Sequence, residues 1–494
     1  MKNIQTILGM MGLCLGLFSC ELQEDVYSSI TTDNFFQTAG DAETALIGAY
    51  DPMAGLYNAA VHATDFGTDQ IYPRPVVARD TYTLFTYDQN YSSQKSFGRT
   101  FESPLQTWSS CYEGIERANW ILEKVPGIAM DEGRKATILG EAYFLRGFYL
   151  WMLTKNFGEV VIKTSPSKSE SDAYNPKSTT EEVYAQIFQD LDMAIANLPA
   201  YSTQSPEFGR PSKEAAMALS AKASLYSGNY QQALNMAEGV INSGYYRLLD
   251  DIIDVFDVSK ETEARAENIW AYESVSTVPG RGTQVPSLYG PASSAGMEYG
   301  NSSYGSAFAY QSFYDSFDPS DKRRNLLATS FINRKGEVVP QELITPVTTD
   351  GVLVGKFKDP NSNGNGYAIN LPIIRMADVY LIAAEAEAYL NGASSKAYGY
   401  INAVRNRAGL EDLIGGLGAE EFVDSVIQER SWEFFGEADR WYDLARTGKF
   451  LELIPQAVNS VYPVRNPQPK NRYFPIPLDE VNANPQLEQN PDWQ

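Results

Sequence analysis

Ala221-Lys-Ala223-Ser-Leu-Tyr226-Ser-Gly228-Asn229 precedes a second helical stretch holding Ala233 and Ala237, and Ala384-Glu-Ala386-Glu-Ala-Tyr389-Leu-Asn391-Gly392 precedes one holding Ala397. Each stretch has small residues at helical spacing, a bulky ring near the end, a short glycine turn and a returning helix. Small side chains let two helices approach closely, and glycine accepts the left-handed backbone that ends the first one. The two copies are not in tandem: a long insertion, about 244–371, separates them.

The pattern is that of a tetratricopeptide-like unit, although generic Ala-rich helix pairs share the composition. Other segments extend it. In 104–157, Ala142, Leu145, Tyr149 and Met152 recur at three- and four-residue spacing and make one apolar face. A second helical region covers 180–198 and 212–241, with an N-cap signal at Thr179 or Thr180 and a stop at Leu198-Pro199. A third covers 373–390 and 394–407, and a fourth 420–446, closed by Gly448. The expected fold is mainly α, with about four hairpins forming a frame over about 35–243 and 372–450 and a C-terminal strap over about 451–494.

The insertion has another chemistry. From Thr277 to Tyr310 it carries Pro279, Gly280, Gly282, Pro286, Gly290, Pro291, Gly296, Gly300 and Gly305, with Tyr289, Tyr299, Tyr304 and Tyr310 interleaved. Such punctuation predicts loop instead of helix or sheet, and the aromatics argue against disorder. A second loop-like stretch, Asp65 to Tyr91, contains Asp69, Tyr72, Arg74 and Tyr82. Loops of this length in a compact protein usually carry function.

Composition excludes several functions. The 494 residues include 62 acidic and 39 basic side chains, a net charge of −23. That balance opposes nucleic-acid binding and basic docking on anionic lipid. One histidine, His62, leaves no two-His metal motif and reads as a structural polar residue. Of three cysteines, only Cys111 lies in the body of the chain, so no disulfide framework is possible, and Cys111 is expected to pack as a small apolar residue. Trp108 and Trp120 fall on a helical face and are expected in the core. No cofactor motif is present.

The first residues read as an export signal. Lys2 is the only charge before Glu21, and an apolar stretch runs from Ile4 to Phe18. Leu17-Phe18-Ser19-Cys20 resembles a bacterial lipobox; the other reading is an ordinary signal peptide that contains a cysteine. As a lipobox it implies removal of residues 1–19 and acylation of Cys20. The acidic run from Glu21 to Asp25 resembles signals that send lipoproteins to the outer face of the outer membrane.

Signatures in the C-terminal third carry a wider resemblance. They are Pro372-Ile-Ile-Arg375-Met-Ala-Asp378, Asn402-Ala-Val-Arg405-Asn-Arg407-Ala-Gly409, Glu429-Arg430 with Glu433, Gly436-Glu437, Arg440-Trp441-Tyr-Asp443 and Arg446, and Phe474-Pro475-Ile476-Pro477. Together with the lipobox and Trp108-x3-Tyr112-x2-Ile115-x3-Asn119, they resemble the SusD/RagB family of outer-membrane lipoproteins. The Pro-Asp492-Trp493 end departs from the family's usual Pro-Gly and aromatic. The resemblance implies a non-catalytic glycan-binding lipoprotein, held on the cell exterior. It also implies a SusC-like TonB-dependent transporter as partner.

Read without the family, the charged residues from Glu429 to Arg446 have i,i+3 and i,i+4 spacings that predict a buried ion network. A sugar's C–H face lies on an aromatic ring and its hydroxyls take polar contacts. The candidates are therefore Tyr72, Tyr82, Tyr289, Tyr299 and Tyr304 for stacking, with Asp69, Arg74 and Asn301 for hydrogen bonds. Three alternatives remain. The cargo is peptide or glycoprotein-derived, as in the RagB branch; the chain is an all-α glycoside hydrolase using Asp65, Asp69, Glu298 or Asp315; or it is a plain helical scaffold.

Overall fold

A computed structural model of the chain describes residues 35–75, 79–94, 104–201, 208–278, 280–292, 294, 298–300, 303–344, 350–362 and 366–494. Cys20 and Asn301 lie outside them. Ten helices of eight residues or more are found among the described residues: α1 (Ala39–Tyr50), α2 (Pro104–Lys124), α3 (Glu132–Phe157), α4 (Thr180–Asn197), α5 (Lys213–Ser227), α6 (Tyr230–Ser243), α7 (Met376–Asn391), α8 (Ser395–Arg407), α9 (Ala419–Phe434) and α10 (Arg440–Thr447). The architecture is mainly α, with short two-stranded pairings. No described helix is long and apolar enough to cross a membrane.

Local chemistry sets the ends. Thr179 opens α4 with a capping box: its hydroxyl accepts from the Glu182 N–H at 3.2 Å, and the Glu182 carboxylate accepts from the Thr179 N–H at 3.0 Å. Gly228, at φ +78°, closes α5 in the left-handed region. The small residues act as their spacing predicts, with Ala215, Ala218, Ala221, Ala233 and Ala237 all buried. At Gly114 of α2 the α3 helix comes so near that a Cβ would lie 2.1 Å from the Tyr149 ring.

The helices pack mostly in chain order, each against the next, from α2 to α6. Then α6 packs on α7 across the whole insertion. The reason is a β-pair at the insertion's base: Asn268–Tyr272 runs antiparallel to Leu371–Arg375, so the chain leaves and re-enters the frame at one place. Trp270 of this pair meets Phe144 and Phe148 of α3 edge-on, at 4.7 and 4.9 Å between ring centroids. The two Ala-rich hairpins thereby become neighbours, and Tyr230 stacks on Tyr389 at 4.1 Å and 12°.

The hairpin read over 420–446 is α9 and α10, parted by left-handed backbone at Gly436 (φ +72°) and Ala438 (φ +62°). The structure corrects two expectations. The stretch 277–310 is not all loop; it holds a helical turn at Val285–Tyr289 and the strand Ala307–Ala309. Trp120 is only partly buried and lies 5.6 Å from the Lys124 ammonium, whereas Trp108 is core. Helix α1 escaped the periodicity because its inner face is mostly alanine: it buries Ala42, Leu46 and Ala49.

Candidate functional site

The two loop regions singled out in the sequence meet in space. Strand Ile71–Pro73 pairs antiparallel with Ala307–Ala309, matching Tyr72 to Phe308. The pairing continues where the Arg74 N–H donates to the Ser306 carbonyl at 3.0 Å. Beyond it, the Arg74 guanidinium donates to the Tyr304 carbonyl at 3.4 Å. The Gln284 N–H donates to the Asn58 carbonyl at 2.9 Å, and the Tyr289 hydroxyl to Asp65 at 2.9 Å. From the C-terminal strap, Arg465 donates to the carbonyls of Thr68 and Thr83 at 2.7 and 3.1 Å. Sequence reasoning assigned Arg465 no role.

Most of the candidate rings face inward. Tyr72, Tyr82, Tyr289 and Tyr299 are 0, 4, 1 and 1 % exposed and offer no open face to a sugar. Tyr72 packs 4.7 Å from Tyr310 and 6.2 Å from Tyr462; Tyr82 lies 5.5 Å from Phe474; Tyr289 stacks 6.0 Å from Phe357. Their number signalled an aromatic core under the loops. Tyr304 and Arg74 are partly open. Tyr314, absent from the candidates, is also partly open, with the Arg324 guanidinium 4.2 Å from its ring. Tyr304 and Tyr314 flank the same strand, Ala307–Ala309.

The carboxylates named for hydrolysis have other work. Both oxygens of Asp69 accept from Arg440, at 2.8 and 2.6 Å. Burial would raise the Asp69 carboxyl, but the Arg440 charge outweighs it and holds it below the usual range. Asp65 is fully buried and accepts from Tyr289. Burial pushes its carboxyl up to about 7 despite that hydrogen bond. The neighbouring His62 is also buried, which lowers its imidazole to about 4. Glu298 accepts from the Ile332 N–H at 3.2 Å, and exposed Asp315 accepts from Gln311 at 2.9 Å.

The ion network is present, but its partners are mostly distant in sequence, not i,i+3 or i,i+4. Glu433 accepts from Arg375 at 2.5 Å and Arg323 at 3.1 Å, and also from Arg407. Glu437 accepts from Arg375 at 2.8 Å and Lys356 at 2.6 Å. Arg430 donates to Asp378 and Asp443, both at 2.7 Å. Burial would raise the Glu433 carboxyl, but the Arg407, Arg375 and Arg323 charges outweigh it and hold it well below the usual range. Such a network fixes α7, α8 and α9 against the insertion; its members are too buried to reach substrate. Cys111 is likewise buried, and burial raises its thiol.

A helical-hairpin frame carrying a loop face defines a mainly α, tetratricopeptide-like class of protein. The model of the SusD family matches residues 266–493, and a second model, described as starch-binding and associating with the outer membrane, matches 25–225. A SusD-like protein of Formosa agariphila is 28 % identical over 98 % of both chains. Among solved structures, a laminarin-binding SusD-like protein has a TM-score of 0.76 at 26 % identity, over 92 % of this chain and 99 % of that one. Surface glycan-binding protein A from Bacteroides uniformis has 0.75 at 26 %, with the same coverage. The chain belongs to the SusD/RagB family.

Proposed function

We propose that this protein is a non-catalytic glycan-binding lipoprotein of the outer membrane. Cys20 carries the acyl anchor, and the body faces the cell exterior. It captures oligo- or polysaccharide on the loop face and passes it to a SusC-like TonB-dependent transporter. The observation that carries the reading is the strand pair Ile71–Pro73 with Ala307–Ala309, which places Arg74 beside Tyr304 on a partly open surface. There Tyr304 gives a ring for a pyranose face and Arg74 gives donors for its hydroxyls, with Tyr314 following the strand and Arg324 against its ring. The laminarin-binding relative makes a neutral β-glucan the first ligand to try.

Calorimetric titration with laminarin and a panel of unrelated polysaccharides tests this. Binding to at least one, weakened about tenfold in Tyr304→Ala, with no reducing sugar released, is the expected result. Release of reducing ends that is lost in Asp69→Ala overturns it. The anchor is tested by feeding cells a palmitate analogue: label is expected on the protein and absent from Cys20→Ala.

A further inference from the structure

A cavity of about 460 Å3 lies away from the loop face, between the first half of α3, the residues on either side of the α4–α5 connection, and strand Asn268–Tyr272. This volume is that of an ordinary small-molecule site, ~300–1,000 Å3. The cavity shares Phe208, Arg210 and Glu273 with an adjoining groove of about 240 Å3, so the two run together at Phe208. Phe208 is 48 % exposed, and the Arg265 guanidinium sits 3.3 Å from its ring. Further in, Tyr201 and Tyr246 pack 4.7 Å apart.

The basic groups on the walls are already matched. Arg210 donates to both oxygens of Glu141, at 3.0 and 2.9 Å. Arg265 donates to both oxygens of Glu273, each at 2.8 Å. An anionic ligand would have to break one of these pairs. A neutral hydroxylated ligand would instead bond to lone pairs and N–H groups the pairs leave over.

We propose that the cavity is a second binding site, for a neutral di- or trisaccharide, with Phe208 and Tyr201 as ring contacts. It stands independently of the loop face, which is built from other residues. The test titrates the full chain with laminaritriose and maltotriose, and with trigalacturonic acid as the charged control. With the loop face weakened by Tyr304→Ala, one neutral trisaccharide is still expected to bind, and to bind at least tenfold more weakly once Phe208→Ala is added. Trigalacturonate is expected to bind at least tenfold more weakly than the neutral sugar. Phe208 is half exposed, so Phe208→Ala is expected to leave the fold intact. The proposal is overturned if no neutral trisaccharide binds, if binding ignores Phe208→Ala, or if the charged control binds equally well. Loss of polysaccharide binding in Tyr304→Ala reports on the loop face alone.

Discussion

The frame and the loop face both bury polar side chains, and they satisfy them in opposite ways. Around α9, each buried carboxylate is held by guanidinium or ammonium groups from several elements, as Glu433 is by Arg323, Arg375 and Arg407. Beneath the loops, the buried hydroxyls of Tyr299, Tyr310 and Tyr462 have no hydrogen-bond partner, and their rings pack by apolar contact. Charges demand particular partners, because removing one strands the others in low dielectric. Rings accept any neighbour of suitable shape. The frame is therefore intolerant of change, while the loop surface can change its outward residues at little cost to folding.

The comparison breaks most visibly at Glu433. Glu433→Ala leaves three buried arginines facing one another, and a loss of about 3–5 kcal/mol is expected from the urea midpoint. A loss under about 1 kcal/mol means the frame is held by apolar packing alone. Acid probes the same residues. The unfolded carboxyl titrates near about 4.3 and the folded one lower, so the stabilisation is complete above about pH 5. It disappears as pH falls through the folded value.

Gly114→Ala pushes a Cβ into the Tyr149 ring between α2 and α3, and about 1–3 kcal/mol should be lost in the same assay. Asp65 reverses the acid argument. Its folded carboxyl sits at about 7, above the unfolded value of about 3.9, so its cost grows as pH rises from about 4 to 7. In Asp65→Asn the stability difference between pH 5 and pH 8 should shrink by roughly 1–3 kcal/mol. An unchanged pH profile would show that Asp65 is ionised in the folded protein. The smallest expected effect is Tyr304→Ala, which should shift the midpoint by about 0.5 kcal/mol or less while weakening polysaccharide binding. A large stability loss there would erase the contrast between the two regions.

The frame was legible because it rests on periodicity and glycine turns, both local: Gly228 and the alanines of α5 stand where their spacing put them. The hairpin over 420–446 was legible as a region, but the place of its turn at Gly436 and Ala438 was not, since the charge spacing runs on through it. The ion network was recognised from its residue types, but its partners were misjudged: Lys356 comes from the insertion and Arg375 from the strand that re-enters the frame, both far in sequence. For the loop face, composition located the two segments but could not say which way each tyrosine points. The strand pairing that turns Tyr72 inward joins residues more than 200 apart, and no local pattern reports it.

Hydrogen exchange of the full chain with and without the bound polysaccharide tests the central claim most directly. Slowed exchange is expected at 71–75 and 303–315, with α5 to α9 unchanged. Protection confined to the helical frame, with the strand pair unaffected, would contradict it.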